Sequence, residues 1–129
     1  MSVKVAVRVR PFNEREIKGN SKCCVKMQGP TTIIFDPETG KDKPFSFDYS
    51  FWSHDGFDDV DGISVPIAGT DYADQQMVYE ALGKQVLDNA WDGYHCCLFA
   101  YGQTGSGKSY SMVSGVIDLK LKVLFPCWQ

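Results

Sequence analysis

The sequence predicts an α/β fold, a mixed sheet with a small antiparallel side lobe. Three observations predict it. Valines occupy every second position from Val3 to Val9 and stop at Pro11, which is a strand pattern. Val78, Leu82, Val86 and Ala90 recur at helical spacing on one face. The apolar run Cys96 to Tyr101 then leads without a break into Gly102-Gln103-Thr104-Gly105-Ser106-Gly107-Lys108-Ser109.

The first strand places Arg8 and Arg10 two residues apart, so both guanidinium groups project from the same side near its C-terminal end. On an isolated surface strand that arrangement means solvation. Short β-like runs follow at Cys23 to Met27, Thr31 to Asp36 and Phe45 to Tyr49. Gly29-Pro30 and Pro37-Glu38-Thr39-Gly40 separate them, so they read as hairpins of the side lobe. Ile33-Ile34-Phe35-Asp36 imitates an apolar strand ending in a metal-supporting aspartate, but its place among the hairpins argues against that role.

Ser53 to Gly69 reads as a solvated acidic loop, with Asp55, Asp58, Asp59 and Asp61 among Gly56 and Gly62. A calcium loop is excluded, because Gly62 at the central turn would put Phe57 and Ala68 at the first and last ligand positions. Asp74 is placed to N-cap the following helix, and Asp92-Gly93 to close it. Gly83 in its interior costs about 1 kcal/mol relative to Ala. The run Cys96 to Tyr101 lacks polar alternation, as expected of a strand buried on both faces.

The eight residues after it match G-x-x-x-x-G-K-[ST]. Gly102, Gly105 and Gly107 allow close approach of the backbone, so successive N–H groups can turn toward phosphate oxygens. Lys108 would reach the β and γ phosphates, and Ser109 would ligate Mg²⁺. A strand before the loop and a helix-compatible segment after it supply the context the motif requires.

The 129 residues, 43% apolar and 22% charged, suit one soluble domain. Thirteen basic against sixteen acidic residues give a net charge of -3, which argues against nucleic acid or anionic membrane as a partner. No apolar stretch approaches the ~20 residues of a membrane span. Lys4, Arg8 and Arg10 interrupt any secretory leader, Ser2 excludes myristoylation, and Cys127 sits one place short of a prenylation box. A cytoplasmic location is expected. The adjacent pairs Cys23-Cys24 and Cys96-Cys97, with Cys127 alone, read as inert packing thiols of a reducing compartment.

Val5 to Pro11, Phe47-Asp48-Tyr49 with Trp52-Ser53-His54, Gly93-Tyr94, and Phe99 through Met112 together resemble a kinesin motor domain, most closely the kinesin-3 class. The resemblance implies a kinesin-type P-loop NTPase that binds ATP and Mg²⁺. Its activity would be a microtubule-stimulated ATPase that moves along microtubules, hence a cytoskeletal location. It implies that Arg8, Arg10 and Pro11 lie at the adenine end of the nucleotide. Gln103, Thr104, Gly105, Ser106, Gly107, Lys108 and Ser109 would serve phosphate and metal, with Lys108 and Ser109 as the catalytic positions, and Tyr110 would lie against the base.

The resemblance covers residues 1–112. Residues 113–129 read as a divergent tail in which Ile117, Leu119, Leu121 and Val123 alternate with polar residues, as a changed splice junction, retained intron or faulty gene model would produce. The kinesin fold is therefore expected to be incomplete, without switch loops, microtubule-binding elements or a neck linker. A strand from late in that domain would lie beside the Cys96 to Tyr101 run. Without it the run is expected to be exposed and the chain marginally stable, prone to aggregation and catalytically inactive alone. A noncatalytic nucleotide-binding or interfering fragment is the alternative function.

Overall fold

The computed structural model describes residues 3–113, which fall into two units, 3–57 with 67–72 and 58–66 with 73–113. The alternating segment Ile117 to Val123 lies outside the described residues.

In the first unit, β1 (Ala6–Val9) pairs in parallel with β5 (Tyr49–Trp52), with Ala6 opposite Tyr49 and Val9 opposite Trp52. The predicted strand began at Val3. Its pairing begins only where β5 does, and just before it the Asp48 carboxylate accepts the Val5 N–H at 2.7 Å. Between the paired strands run helix α1 (Glu14–Lys18) and a three-stranded antiparallel sheet of β2 (Val25–Gln28), β3 (Thr31–Phe35) and β4 (Asp42–Ser46). This is the predicted side lobe. The expected single strand Phe45 to Tyr49 is divided, because the chain leaves the side lobe at Ser46 and joins β1 at Tyr49. Pro44 is tolerated on β4, whose only strand neighbour among the described residues is β3.

One hydroxyl chain ties the side lobe to β5. Ser50 Oγ donates to the Pro30 carbonyl at 3.0 Å, so its lone pair receives the Thr32 hydroxyl proton at 2.9 Å. Thr32 is buried, and so is Phe51, whose neighbour Tyr49 stacks on it along the same strand face. Asp36 ends β3 by accepting the N–H groups of Glu38 and Thr39 and the Thr39 hydroxyl. Those donors, chiefly the Glu38 N–H, hold its carboxyl below the ordinary range. Asp36 is thus a turn-former, as its hairpin context predicted.

The segment expected to be a loop contains a hairpin, β6 (Phe57–Val60) and β7 (Ile63–Pro66). Asp61 and Gly62 connect them with φ values of 53° and 78°, the double positive φ of a type I′ turn. The Asp59 carboxylate accepts the Gly62 N–H at 2.9 Å. Acidic composition masked a turn dipeptide flanked by apolar residues.

In the second unit, α2 (Gln75–Val78), a π-helical turn (Tyr79–Gly83) and α3 (Lys84–Trp91) succeed one another without interruption. Asp74 is the N-cap, its carboxylate accepting the Met77 N–H at 2.8 Å. A Cβ on Gly83 would lie 2.8 Å from Cδ2 of Tyr79, so the glycine makes room for that ring at the wide turn. Asp92-Gly93 closes the helix in a Schellman motif, with Tyr94 N–H on the Asn89 carbonyl, Gly93 N–H on that of Ala90, and Gly93 at φ 82°.

The doubly buried strand predicted at Cys96 to Tyr101 is not formed. Phe99 is 79% and Tyr101 98% exposed. Among the described residues no strand pairs with this segment, so it has neither a ladder for its backbone nor cover for its side chains. The exposure agrees with the expectation from sequence, and the strand does not. Cys96 and Cys97 are exposed with it, contrary to their reading as packing thiols.

The link from β1 into α1 is closed by charge. Arg10 makes a two-pronged pair with Glu16, Nη2 to Oε1 at 2.7 Å and Nη1 to Oε2 at 2.8 Å, both side chains about 30% exposed. Glu16 also completes a capping box, accepting the Asn13 N–H while the Asn13 side chain accepts the N–H of Glu16, each at 2.9 Å. The Arg10 hydrogen bonds, then the Asn13 N–H, lower the Glu16 carboxyl from 4.5 to about 2, and Glu16 in turn raises Arg10.

Replacing Asp74 with Ala should cost about 1 kcal/mol in urea unfolding, while Asp74→Ser should cost far less. A depressed carboxyl stabilises the fold fully above its unfolded value and loses that contribution as pH falls through its folded value. The melting-temperature gap between wild type and Glu16→Gln should therefore hold constant from about pH 7 to about pH 5 and shrink steadily below that.

Candidate nucleotide site

The predicted site residues fall into two sets, one in each unit. In the first unit, Arg8 lies on β1 and Arg10 directly follows the strand. Arg8 Nε donates to Ser53 Oγ at 2.9 Å, and Ser53 is buried. Arg10, besides its pair with Glu16, donates from Nη1 to the Pro11 carbonyl at 2.6 Å. Neither arginine is a merely solvated surface group.

His54 supports the same turn from the segment after β5. Its Nδ1 lies 3.1 Å from the Arg10 carbonyl, and its ring meets Phe12 edge-on at 4.7 Å and Trp52 at 5.5 Å. Pro11 and Phe12 are half-buried between these supports. Glu16 and His54 were not predicted as part of the site. Asn13-x-x-Glu16 is a legible capping-box pattern, whereas His54 reaches the turn only because β5 lies beside β1.

In the second unit, Gly102 to Ser109 form one continuous loop that opens α4 (Lys108–Val113). Ser106 N–H donates to the Gln103 carbonyl at 3.1 Å, turning the chain. Gly105 and Gly107, at φ 81° and 94°, hold conformations that side chains oppose. Gly102 is required by space, since a Cβ there would sit 2.5 Å from Ser106 Oγ. That hydroxyl is buried and has no hydrogen-bond partner among the described residues.

Lys108 Nζ donates to the carbonyls of Gly102, at 2.5 Å, and Gln103, at 2.9 Å. The ammonium thus lies over the loop that precedes it. Ser109 and Tyr110 are exposed on the first turn of α4, and Thr104 on the loop. Gln75 Nε2 braces α4 by donating to the carbonyls of Tyr110 and Ser111, at 3.2 and 2.9 Å.

This arrangement suits a polyanion. It offers an ammonium, backbone unobstructed by side chains at Gly105, and a buried hydroxyl without a partner among the described residues. Among the described residues no group of three His, Cys, Asp or Glu could hold a metal ion. A divalent cation here would rest on the Ser109 hydroxyl together with oxygens of the bound anion.

The kinesin motor-domain family profile matches residues 8–129, a span that includes the segment after residue 112. Rat kinesin-like protein KIF1A is 51% identical over 114 residues, covering 87% of this chain and 6% of that protein. Rat kinesin-like protein KIF28 is 50% identical over 132 residues, covering 96% of this chain and 13% of that protein. A solved KIF14 motor segment with ADP, in complex with a microtubule, superposes with a TM-score of 0.70 at 43% identity, over 84% of this chain and 27% of that one. The chain spans a small part of each relative's length. With a profile match across nearly its whole length and relatives about half identical over most of it, the chain belongs to the kinesin motor-domain family.

Proposed function

We propose that this chain is the nucleotide-binding front of a microtubule motor, taking ATP with Mg²⁺ through Gly102 to Ser109 and reading the base through Arg8, Arg10, Pro11 and Tyr110. The observation that carries this reading is the loop itself. Among the described residues Lys108 bonds only to neutral carbonyls, and exchanging them for charged phosphate oxygens is favourable at short range. Ser106 Oγ and the N–H groups beside Gly105 and Gly107 would complete the cradle. Mg²⁺, when bound, offsets the charge of the phosphates, and Ser109 is the residue that would hold it. Tubulin is the partner, in the cytoplasm, by likeness to the microtubule-bound KIF14 segment.

The second reading is nucleotide binding without turnover by the 129 residues alone. The bare Cys96 to Tyr101 run favours it, because the segment that presents the loop has no lateral support among the described residues. Turnover would then belong to a longer chain.

Calorimetry should show ATP binding that Lys108→Ala weakens by at least about tenfold. Ser109→Ala should remove most of the Mg²⁺ dependence. Phosphate release stimulated by microtubules and abolished by Lys108→Ala would establish the motor reading; binding without release would establish the second. Gly102→Ala should depress ATP affinity with less effect on the melting temperature, because its Cβ displaces Ser106 within an exposed loop.

A further inference from the structure

The proposed base end of the site rests on a turn whose stiffness has an identifiable source. Pro11 follows β1 after Arg10 alone, and a surface turn of that kind would ordinarily sample several conformations. Here the chain from Arg10 to Asn13 is held by one carboxylate. Glu16 Oε1 takes Arg10 Nη2, and Oε2 takes both Arg10 Nη1 and the Asn13 N–H. Arg10 Nη1 at the same time reaches the Pro11 carbonyl. A closed ring of charge-assisted bonds thus joins the strand end, the turn and the helix N-cap, while His54 braces the Arg10 carbonyl and the Phe12 ring from the other side.

We propose that Glu16 is a positioning residue for nucleotide base recognition, fixing Arg10 and the Pro11–Asn13 turn in the geometry that receives the base. This rests on the nucleotide-binding reading above. Glu16 needs no contact with the ligand: it lowers the entropy the turn would otherwise lose on binding and directs the Arg10 guanidinium. An Arg–carboxylate fork suits that task, since two parallel bonds fix orientation as well as distance. A carboxylate serving α1 alone would need only the Asn13 N–H; the two further bonds to Arg10 extend its hold to the strand end.

The test compares ATP with inorganic tripolyphosphate, which has the phosphates and no base, by calorimetry on the full 129-residue chain. Wild type should prefer ATP by about tenfold or more, and Glu16→Ala should erase most of that preference while changing tripolyphosphate affinity less than about twofold. Glu16→Gln, whose amide oxygen can still accept the Asn13 N–H, should fall between them and keeps the comparison readable if Glu16→Ala fails to fold. Equal loss of both ligands, or no change in either, would reduce Glu16 to a helix cap and overturn the proposal. If wild type binds tripolyphosphate as tightly as ATP, the positioning role falls and the phosphate loop stands. If wild type binds neither, the nucleotide reading fails together with this one.

Discussion

The parallel pairing of β1 with β5 is the constraint on which the first unit depends. Parallel neighbours cannot be joined by a tight turn, so a long crossover must separate them, and here α1 and the whole side lobe occupy it. Once β5 lies against β1, other contacts follow from register. Asp48 meets the Val5 N–H, Ser53 comes beside Arg8, and His54 reaches the Arg10 carbonyl. Arg8 and Arg10 thus owe their surroundings to a strand that begins about 40 residues downstream.

The second unit is governed by a different rule, the avoidance of side-chain bulk where backbone must turn or approach. Gly83 admits the Tyr79 ring into a widened helical turn, and Gly102 admits the Ser106 hydroxyl. At both places a single Cβ would overlap atoms already present. The glycine-rich loop before α4 is therefore a shape defined by missing side chains, with Lys108 supplying its charge and Gln75 holding the helix behind it.

Much of this was legible in the sequence because it is local. The Asp74 cap, the Asp92-Gly93 stop, the side-lobe hairpins and the G-x-x-x-x-G-K-S loop each depend on residues within a few positions of one another. What escaped was either nonlocal or disguised. No spacing rule links Arg8 to Ser53 or His54 to Arg10, because only the β1–β5 register brings them together. The β6–β7 hairpin was hidden by acidic composition, although Asp61-Gly62 signalled its turn. The apolar run Cys96 to Tyr101 shows a further limit, since hydrophobicity records the burial a segment is suited to and cannot supply its partners.

That run also carries its own reporter. Cys96 and Cys97 sit at its start, both exposed, with the Cys96 thiol donating to the Val86 carbonyl at 3.2 Å. Alkylation of a thiol needs both its thiolate form and access to solvent, so at fixed pH covering this stretch would slow the reaction at both residues. Two residues with no assigned chemistry thus make a stretch without strand partners among the described residues observable in the unmodified chain.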